Sequence, residues 1–198
     1  IARIVDALLF FARIDNPHHK LRMETFEASA ELGKLVSFFE PMAAENGISI
    51  QSTGRAELHA NPTLFGQAVS NLLSNALQHT PAGGSVGIAL TSSPSHVELT
   101  IQDTGIGIGP EDLPHVLEPF YRGTHSRGMR HEGVGLGLAV VRSIMEWHGG
   151  SLEIMSPPGA GTRVCLRFAR PAGQTANELA PGMVVDSAPA PRLVSGSS

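Results

Sequence analysis

Apolar residues along this chain alternate between two spacings, and this alternation restricts the folds that it can adopt. In residues 64–78 they recur three and four positions apart, which predicts an amphipathic helix. In residues 86–91 and 97–103 they recur at every second position on either side of a serine-rich turn, which predicts a hairpin. Because helices and strands interleave without a regular strand–helix–strand rhythm, the predicted fold class is α+β, a two-layer sandwich with three helices on one face of a mixed, mostly antiparallel sheet.

The remaining elements are predicted from caps and helix-breaking residues. A helix is predicted from Ser29, as its cap, to about residue 46, with Gly47 as its stop and a bend or local break at Pro41. A short helix is predicted near residues 111–118, and a third long helix over residues 133–148. Short strands are predicted over residues 21–26, 48–52 and 57–60, and residues 151–155 and 163–168 are predicted to form a second, closing hairpin. The three long helices are the ones expected to cover the sheet.

The two ends of the chain differ from its middle. Residues 1–14 carry an apolar stripe at helical spacing, which Asn16 and Pro17 end. This stripe suits packing on the protein's own core and packing against a partner helix equally well. From residue 171 onward the chain is rich in Ala, Pro, Gly and Ser, which predicts a disordered tail. We therefore expect a piece of a longer protein, divided into a helical end (1–16), a globular domain (17–170) and a tail (171–198).

Composition argues against several classes of protein. Eighteen acidic and fourteen basic residues give a net charge of −4, and no run rich in Lys and Arg is present, which argues against nucleic-acid binding. The single cysteine, Cys165, excludes an internal disulfide framework and fits a reducing compartment. No apolar stretch approaches the roughly 20 residues that span a bilayer. The nine histidines are scattered rather than closely spaced with acidic or cysteine partners, so we expect surface residues, not a metal site.

Three polar side chains stand next to positions that the core would otherwise fill. Asn71 and Asn75 lie one helical turn apart beside the apolar face of residues 64–78, so they point the same way and need hydrogen-bonding partners, solvent or a ligand. Asp103 continues the apolar parity of its strand, so its carboxylate reaches the inner edge of the core. That carboxylate can accept a hydrogen bond from an adenine amino group, or it can cap the turn that follows.

Two glycine clusters follow, at residues 105–109 and 133–137. Glycines let the backbone approach a ligand closely, and a helix that begins after them offers free N–H groups to phosphates. Neither cluster is a dinucleotide fingerprint, since Leu138 stands at the sixth position of the second, and no Gly-Lys-Ser/Thr of a P-loop occurs. Alone, each cluster is more typical of a mobile turn than of a phosphate site.

Taken in order, these motifs resemble those of sensor histidine kinases. The N box, first glycine box, F box and second glycine box of that family are matched by Asn71…Asn75, Asp103-Thr-Gly-Ile-Gly-Ile, Glu118-Pro-Phe-Tyr-Arg122-Gly and Gly133-Val-Gly-Leu-Gly-Leu138. The resemblance covers residues 1–168. Residues 4–13 look like the end of the second dimerisation helix, and the sequence around them is similar to that of heavy-metal sensor kinases. It implies the Bergerat ATP-binding sandwich, which gyrase-type and chaperone-type ATPases share.

The resemblance implies ATP and Mg²⁺ as ligands. At the base, Asp103 would accept from the adenine amino group, Gly105 and Gly107 would let the backbone pass under the ring, and His79 would pack against it. Residues 124–132 would form a lid over the nucleotide. The other matched residues would act around the phosphates, namely Tyr121, Arg122, Gly133, Gly135, Leu136 and Gly137. The charge of Arg122 would neutralise the transferring phosphoryl group.

The two asparagines carry the implied chemistry. Asn75 would bind Mg²⁺, and Asn71 stands where hydrolysing relatives place a glutamate that activates water. Because an amide cannot act as a general base, the resemblance implies transfer of phosphate to a positioned acceptor and poor ATP hydrolysis. Gln78 departs from the family, where many relatives have a lysine or arginine that reaches the phosphates, so affinity or rate is expected to be lower.

The sequence therefore predicts the catalytic domain of a protein-histidine kinase, which transfers the γ-phosphoryl group of ATP to a histidine on the dimerisation domain. No histidine precedes the acidic/Arg-Thr-Pro run that marks the phosphoacceptor, so the acceptor is expected outside this chain. The alternative is a catalytically weak nucleotide-binding module that docks on a partner helix. Expected partners are the phosphoacceptor helical hairpin of the same kinase, a response regulator and a second copy of the full-length protein, which the resemblance anchors in the bacterial inner membrane with this domain in the cytoplasm.

Overall fold

Seven strands and three helices make up the part of the chain that the computed structural model describes, residues 22–123, 134–157 and 159–170. In chain order these are β1 (Glu24–Glu27), α1 (Ala28–Glu45), β2 (Ser49–Thr53), β3 (Glu57–Ala60), α2 (Pro62–His79), β4 (Ser85–Ser92), β5 (His96–Asp103), α3 (Gly137–Trp147), β6 (Ser151–Met155) and β7 (Arg163–Ala169). Among the helices of these ranges, none combines the length and apolar content that a bilayer span requires. The predicted N-terminal helix and C-terminal tail lie outside the described residues.

Five strands form one mixed sheet in the order β2-β4-β5-β7-β6. Strand β2 runs parallel to β4, with Ser49 opposite Ser85, whereas the other neighbouring pairs are antiparallel. Strands β1 and β3 pair separately as a two-stranded antiparallel ribbon. Both predicted hairpins are therefore present, and β5 lies at the centre of the sheet between β4 and β7.

The core lies between the helices and one face of this sheet. Along β5, Val97, Leu99 and Ile101 are buried together with residues of all three helices, while Glu98 and Thr100 on the other face are only half-buried. The three helices thus cover a single face, and the predicted α+β sandwich is confirmed. Asp103 ends β5 on the covered face and is 7% exposed, as the parity of the strand predicted.

Helix α2 forms where its sequence supplies a cap, a starter and an apolar face. The Asn61 side chain accepts a hydrogen bond from the Leu64 backbone N–H at 3.0 Å, and Pro62 occupies the first turn, where no N–H is needed. The buried face consists of Phe65, Ala68, Val69, Leu72, Leu73, Ala76 and Leu77. This packing fixes the rotation of the helix about its axis, and hence the direction in which Asn71 and Asn75 point.

Two helix predictions were wrong at their starts. Helix α1 begins at Ala28 rather than after a Ser29 cap, because the Ser29 hydroxyl donates to the Glu27 carboxylate at 2.7 Å instead of accepting from the helix backbone. The third helix begins at Gly137, since Gly135 adopts a φ of +74° that is incompatible with a right-handed helix.

Two further helix predictions concern Pro41 and residues 111–118. Helix α1 runs continuously through Pro41, so the local break does not occur, while the alternative of a bend stays a prediction. Residues 111–118 form a run of turns rather than a helix. Pro114 lies in this segment and has no backbone N–H to donate. The His115 N–H donates to the Asp112 carbonyl and the Glu118 N–H to the His115 carbonyl, so these hydrogen bonds span three residues rather than the four of an α-helix.

Candidate functional site

A cavity of about 680 Å³ opens over the covered end of β5, beside α2 and the start of α3. Its size is that of a small-molecule or cofactor site. It is lined by most of the residues selected from the sequence, namely Asn71, Asn75, Gln78, His79, Asp103, Gly107, Tyr121, Arg122, Gly135, Leu136 and Gly137. Gly105 does not line the cavity but donates its N–H to Asp103, which does. Gly133 and the predicted lid lie outside the described residues.

Asp103 lies at the inner end of the cavity. One carboxylate oxygen, Oδ1, accepts from the backbone N–H groups of Gly105 at 2.8 Å and Thr162 at 3.1 Å. Burial raises the pKa of Asp103, against the effect of these two N–H groups, which lower it. The carboxylate therefore does cap the turn after β5, and it also borders the cavity. The two roles that the sequence left open are compatible in one side chain.

The first glycine cluster owes its composition to contacts within the protein. A side chain on Gly105 would place its Cβ 2.4 Å from the carbonyl oxygen of His79, at the end of α2. Gly107 adopts a φ of +72°, and a Cβ there would lie 2.7 Å from the carbonyl oxygen of Pro157. These glycines therefore let the loop after β5 pass close to α2 and to the β6–β7 turn. These two close approaches hold the loop in place at the floor of the cavity.

Asn71 and Asn75 both face the start of α3, so they point the same way, as their spacing predicted. A Cβ on Gly137 would lie 3.6 Å from Asn71 Oδ1 and 3.5 Å from Asn75 Nδ2. Leu136, the residue that precedes α3, makes no side-chain cap hydrogen bond to the helix. The amide pair and the backbone N–H groups of the first turn of α3 thus border the same part of the cavity, an arrangement that suits anionic groups.

A second glycine contact joins the F-box segment to this region. Gly135 has a φ of +74°, and a Cβ there would lie 2.4 Å from the carbonyl oxygen of Tyr121. The Phe120 N–H donates to the Gly135 carbonyl at 2.8 Å, and Phe120 itself has a φ of +67°. The Tyr121 hydroxyl donates to Asp112 Oδ1 at 2.7 Å. These bonds fix the wall from which exposed Arg122 reaches the cavity.

Three residues of the site were not selected from the sequence. Asp112 is 3% exposed and Ser156 is 6% exposed, and the hydrogen-bond partners of Ser156 include the half-buried Thr162 of the cavity wall. Asp112 lies in the segment mistaken for a helix. Ser156 and Thr162 flank Gly159 and Gly161, a third small glycine cluster whose sequence predicts only a hairpin turn.

The described residues around the cavity offer few side chains that could bind a metal ion. Within residues 22–123, 134–157 and 159–170, no group of three or more His, Cys, Asp or Glu residues could hold a metal ion. Asn75 nevertheless borders the cavity with an amide oxygen, which is a ligand that Mg²⁺ accepts. Asn75 would therefore be one ligand of a Mg²⁺ ion whose other ligands come from water or from a bound ligand.

The chain is similar in sequence to one family of ATPases and to bacterial sensor proteins. Residues 60–172 match the family described as histidine kinase-, DNA gyrase B-, and HSP90-like ATPase. The sensor protein IrlS of Burkholderia pseudomallei is 38% identical over 168 residues, which are 85% of this chain and 36% of IrlS. The sensor protein CzcS of Cupriavidus metallidurans is 36% identical over 168 residues, 85% of this chain and 35% of CzcS. The chain thus spans about a third of the length of these relatives.

Solved structures show the same fold. The mycobacterial sensor histidine kinase MprB superposes with a TM-score of 0.65 at 29% identity, over 74% of this chain and 97% of that one. Full-length ShkA in complex with AMPPNP superposes with a TM-score of 0.73 at 24% identity, over 84% of this chain and 35% of that one. The resemblance inferred from the four sequence motifs is confirmed. The chain belongs to the histidine kinase-, DNA gyrase B- and HSP90-like ATPase family, and its relatives within that family are bacterial sensor histidine kinases.

Proposed function

We propose that this domain binds ATP with Mg²⁺ and donates the γ-phosphoryl group to a histidine on the dimerisation domain of a sensor kinase. The observation that carries the proposal is one cavity with a buried carboxylate at one end and an amide pair beside a helix start at the other. These ends match the two chemically different ends of a nucleotide, a base that donates from an amino group and a chain of phosphates.

At the base end, the proposed contact is between Asp103 and the adenine amino group. Asp103 Oδ1 already accepts two backbone N–H groups, so Oδ2 is the oxygen left to accept from a ligand. His79 lies at the end of α2 and borders the same space, which supports its proposed packing against the base. Gly107 lines the floor without a side chain that would obstruct the ring.

At the phosphate end, the N–H groups at the start of α3 would bind the phosphates, with Gly135, Leu136 and Gly137 around them. Asn75 would hold Mg²⁺ through its amide oxygen, and the ion would supply charge neutralisation at the phosphates. Arg122 would add positive charge from the opposite wall. Gln78 borders the cavity with a neutral amide, so it would donate a hydrogen bond without adding charge.

Asn71 favours transfer over hydrolysis. Its amide borders the cavity next to Gly137, close to where the phosphates are proposed to lie. An amide has no basic site that takes a proton from water at neutral pH, so attack by water lacks a general base. A histidine imidazole brought in by another domain is itself nucleophilic and needs no such base. This is the chemical reason to prefer a kinase over an ATPase.

Several wider expectations rest on the same proposal. The acceptor would lie on a helical hairpin of the same kinase, and the phosphoryl group would pass on to a response regulator. The full-length protein would be a homodimer anchored in the bacterial inner membrane, with this domain in the cytoplasm. These statements extend from the relatives, of which this chain spans about a third.

Two measurements on the domain alone test the proposal. Calorimetric titration with ATP and Mg²⁺ should show binding, and incubation with γ-labelled ATP should leave the protein unlabelled while phosphate is released only slowly. Rapid phosphate release would favour a hydrolysing ATPase. Stable labelling of the domain itself would contradict the proposal that its acceptor lies elsewhere.

A further inference from the structure

One buried hydroxyl joins two segments near Asp103, the loop after β5 and the β6–β7 turn. Ser156, at the end of β6, is 6% exposed. Its Oγ lies 2.7 Å from the Ile108 backbone nitrogen, 3.0 Å from the Gly161 carbonyl oxygen and 2.8 Å from Thr162 Oγ1. It therefore connects the loop after β5 to the far end of the β6–β7 turn, where Thr162 borders the cavity.

The chemistry of these partners fixes where the hydroxyl protons lie. A carbonyl oxygen only accepts, so the single Ser156 proton is donated to Gly161. A backbone N–H only donates, so Ile108 donates to Ser156 Oγ. The remaining bond must then run from the Thr162 hydroxyl to Ser156, because Ser156 has no second proton. Thr162 Oγ1 can therefore accept a hydrogen bond from a ligand in the cavity but has no proton left to donate.

Thr162 and Asp103 are direct neighbours at the base end. The Thr162 N–H donates to Asp103 Oδ1 at 3.1 Å, the Asp103 N–H donates to the Thr162 carbonyl at 2.9 Å, and both residues line the cavity. A Cβ on Gly161 would lie 2.0 Å from the Asp103 carbonyl oxygen, so the turn is packed directly against the end of β5. With its proton committed to Ser156, the Thr162 hydroxyl can only accept a hydrogen bond, and it belongs to a residue that borders the cavity beside the carboxylate.

We propose that Ser156 is a positioning residue for base selection, which holds Thr162 as an acceptor so that this end of the cavity favours a 6-amino purine over a 6-oxo purine. The inference rests on the proposed binding of ATP at Asp103. Two neighbouring acceptors suit an amino group and repel a carbonyl oxygen at the same place. Without Ser156, the Thr162 hydroxyl would rotate and could donate to that carbonyl.

The test compares the affinities of ATP and inosine triphosphate, each with Mg²⁺, for the wild type and Ser156→Ala. The ATP-to-inosine-triphosphate affinity ratio should fall on the order of 10-fold in the variant, the factor that one neutral hydrogen bond provides. Ser156→Thr, which retains the hydroxyl, should restore the wild-type ratio. A merely structural role would weaken both nucleotides equally and leave the ratio unchanged, which would overturn the proposal.

Two controls separate this effect from general loosening. Ser93→Ala removes another multiply bonded turn serine, whose Oγ contacts His96 in the β4–β5 turn away from the cavity, and should not change the ratio. Thr162→Val should lower the ratio by itself, and adding Ser156→Ala to it should lower the ratio no further. Additive effects in that pair would show that Ser156 does not act through Thr162. Absence of ATP binding in the wild type would instead refute the proposed function beneath the inference.

Discussion

At the scale of single residues, the site depends on hydrogen-bonding capacity rather than on net charge. Asp103 Oδ1 is occupied by two backbone donors, so the orientation of the carboxylate is set before any ligand arrives. Parity along β5 sufficed to find Asp103 in the sequence, because the alternation of a strand is a local property. Ser156 and Thr162 were missed because their links to the loop after β5 and to Asp103 join residues 48 and 59 positions apart.

This arrangement predicts that Asp103→Asn abolishes detectable binding of ATP and ADP. The amide oxygen of the variant must replace Oδ1 as acceptor for Gly105 and Thr162, which turns the NH₂ group towards the cavity. Two donor groups, the amide and the adenine amino group, would then face each other. Calorimetry measures the loss, and thermal unfolding checks that the variant is folded. Unchanged affinity in a folded variant would remove Asp103 from the base site.

At the scale of elements, the loops around the cavity are held by contacts that only glycine permits. Strand and helix positions near the site were predictable from periodicity, and the strand at residues 57–60 has the predicted bounds. Residues 111–118 were wrongly predicted as a helix, because their composition is typical of a helix while Pro114 lacks the backbone N–H that a helix interior needs. The close approach of Gly135 to Tyr121 depends on how two distant loops meet, and no local pattern contains it.

Gly135→Ala should destabilise the protein by about 1–3 kcal/mol, since alanine would adopt a strained positive φ and contact the Tyr121 carbonyl. The matched control is Gly33→Ala on the exposed side of α1, where a Cβ meets nothing within 4 Å. That change should stabilise the protein by roughly 0.5–1 kcal/mol, because glycine is a poor helix former. Denaturant unfolding measures both. Equal effects of the two substitutions would contradict the strain assigned to Gly135.

His148 couples the end of α3 to the start of α2. Its Nδ1 donates to the Ile144 carbonyl at 2.7 Å, and its Nε2 accepts from the Asn61 N–H at 3.0 Å, so the neutral ring uses both nitrogens. Burial lowers the pKa of His148 below its ordinary value of 6.5, against the effect of the Ile144 carbonyl, which raises it. Protonation would replace the acceptor facing Asn61 with a donor and break this bond.

The unfolded chain therefore binds the proton more readily than the folded one. The contribution of His148 to the free energy of unfolding should be complete above about pH 6.5 and should decrease as the pH falls towards the lowered pKa of the folded state. Denaturant unfolding between pH 5 and 8 should show a shallower pH dependence for His148→Gln than for the wild type. Identical slopes would mean that His148 does not titrate as this packing requires.

At the scale of the whole molecule, the sandwich brings together residues from α2, β5, the F-box segment and the start of α3 around one cavity. The fold class and most of the site followed from periodicity and from motif order. What did not follow is how the loops meet, as in the close approaches at Gly105 and Gly135 and in the hydrogen bonds of Ser156. The proposed base end and the proposed phosphate end lie within one domain, whereas the proposed acceptor belongs to another.

Phosphoryl transfer in trans tests the central claim most directly. The domain and γ-labelled ATP with Mg²⁺ are mixed with a separate protein that contains the helical hairpin of the same kinase, and label on the hairpin is followed over time. The hairpin should acquire label that is stable to base and labile to acid, as a phosphohistidine requires. Asn75→Ala should slow this transfer at least about 100-fold, if the Mg²⁺ that it holds lowers the barrier by about 3 kcal/mol. An unlabelled hairpin in the presence of a domain that binds ATP would contradict the account.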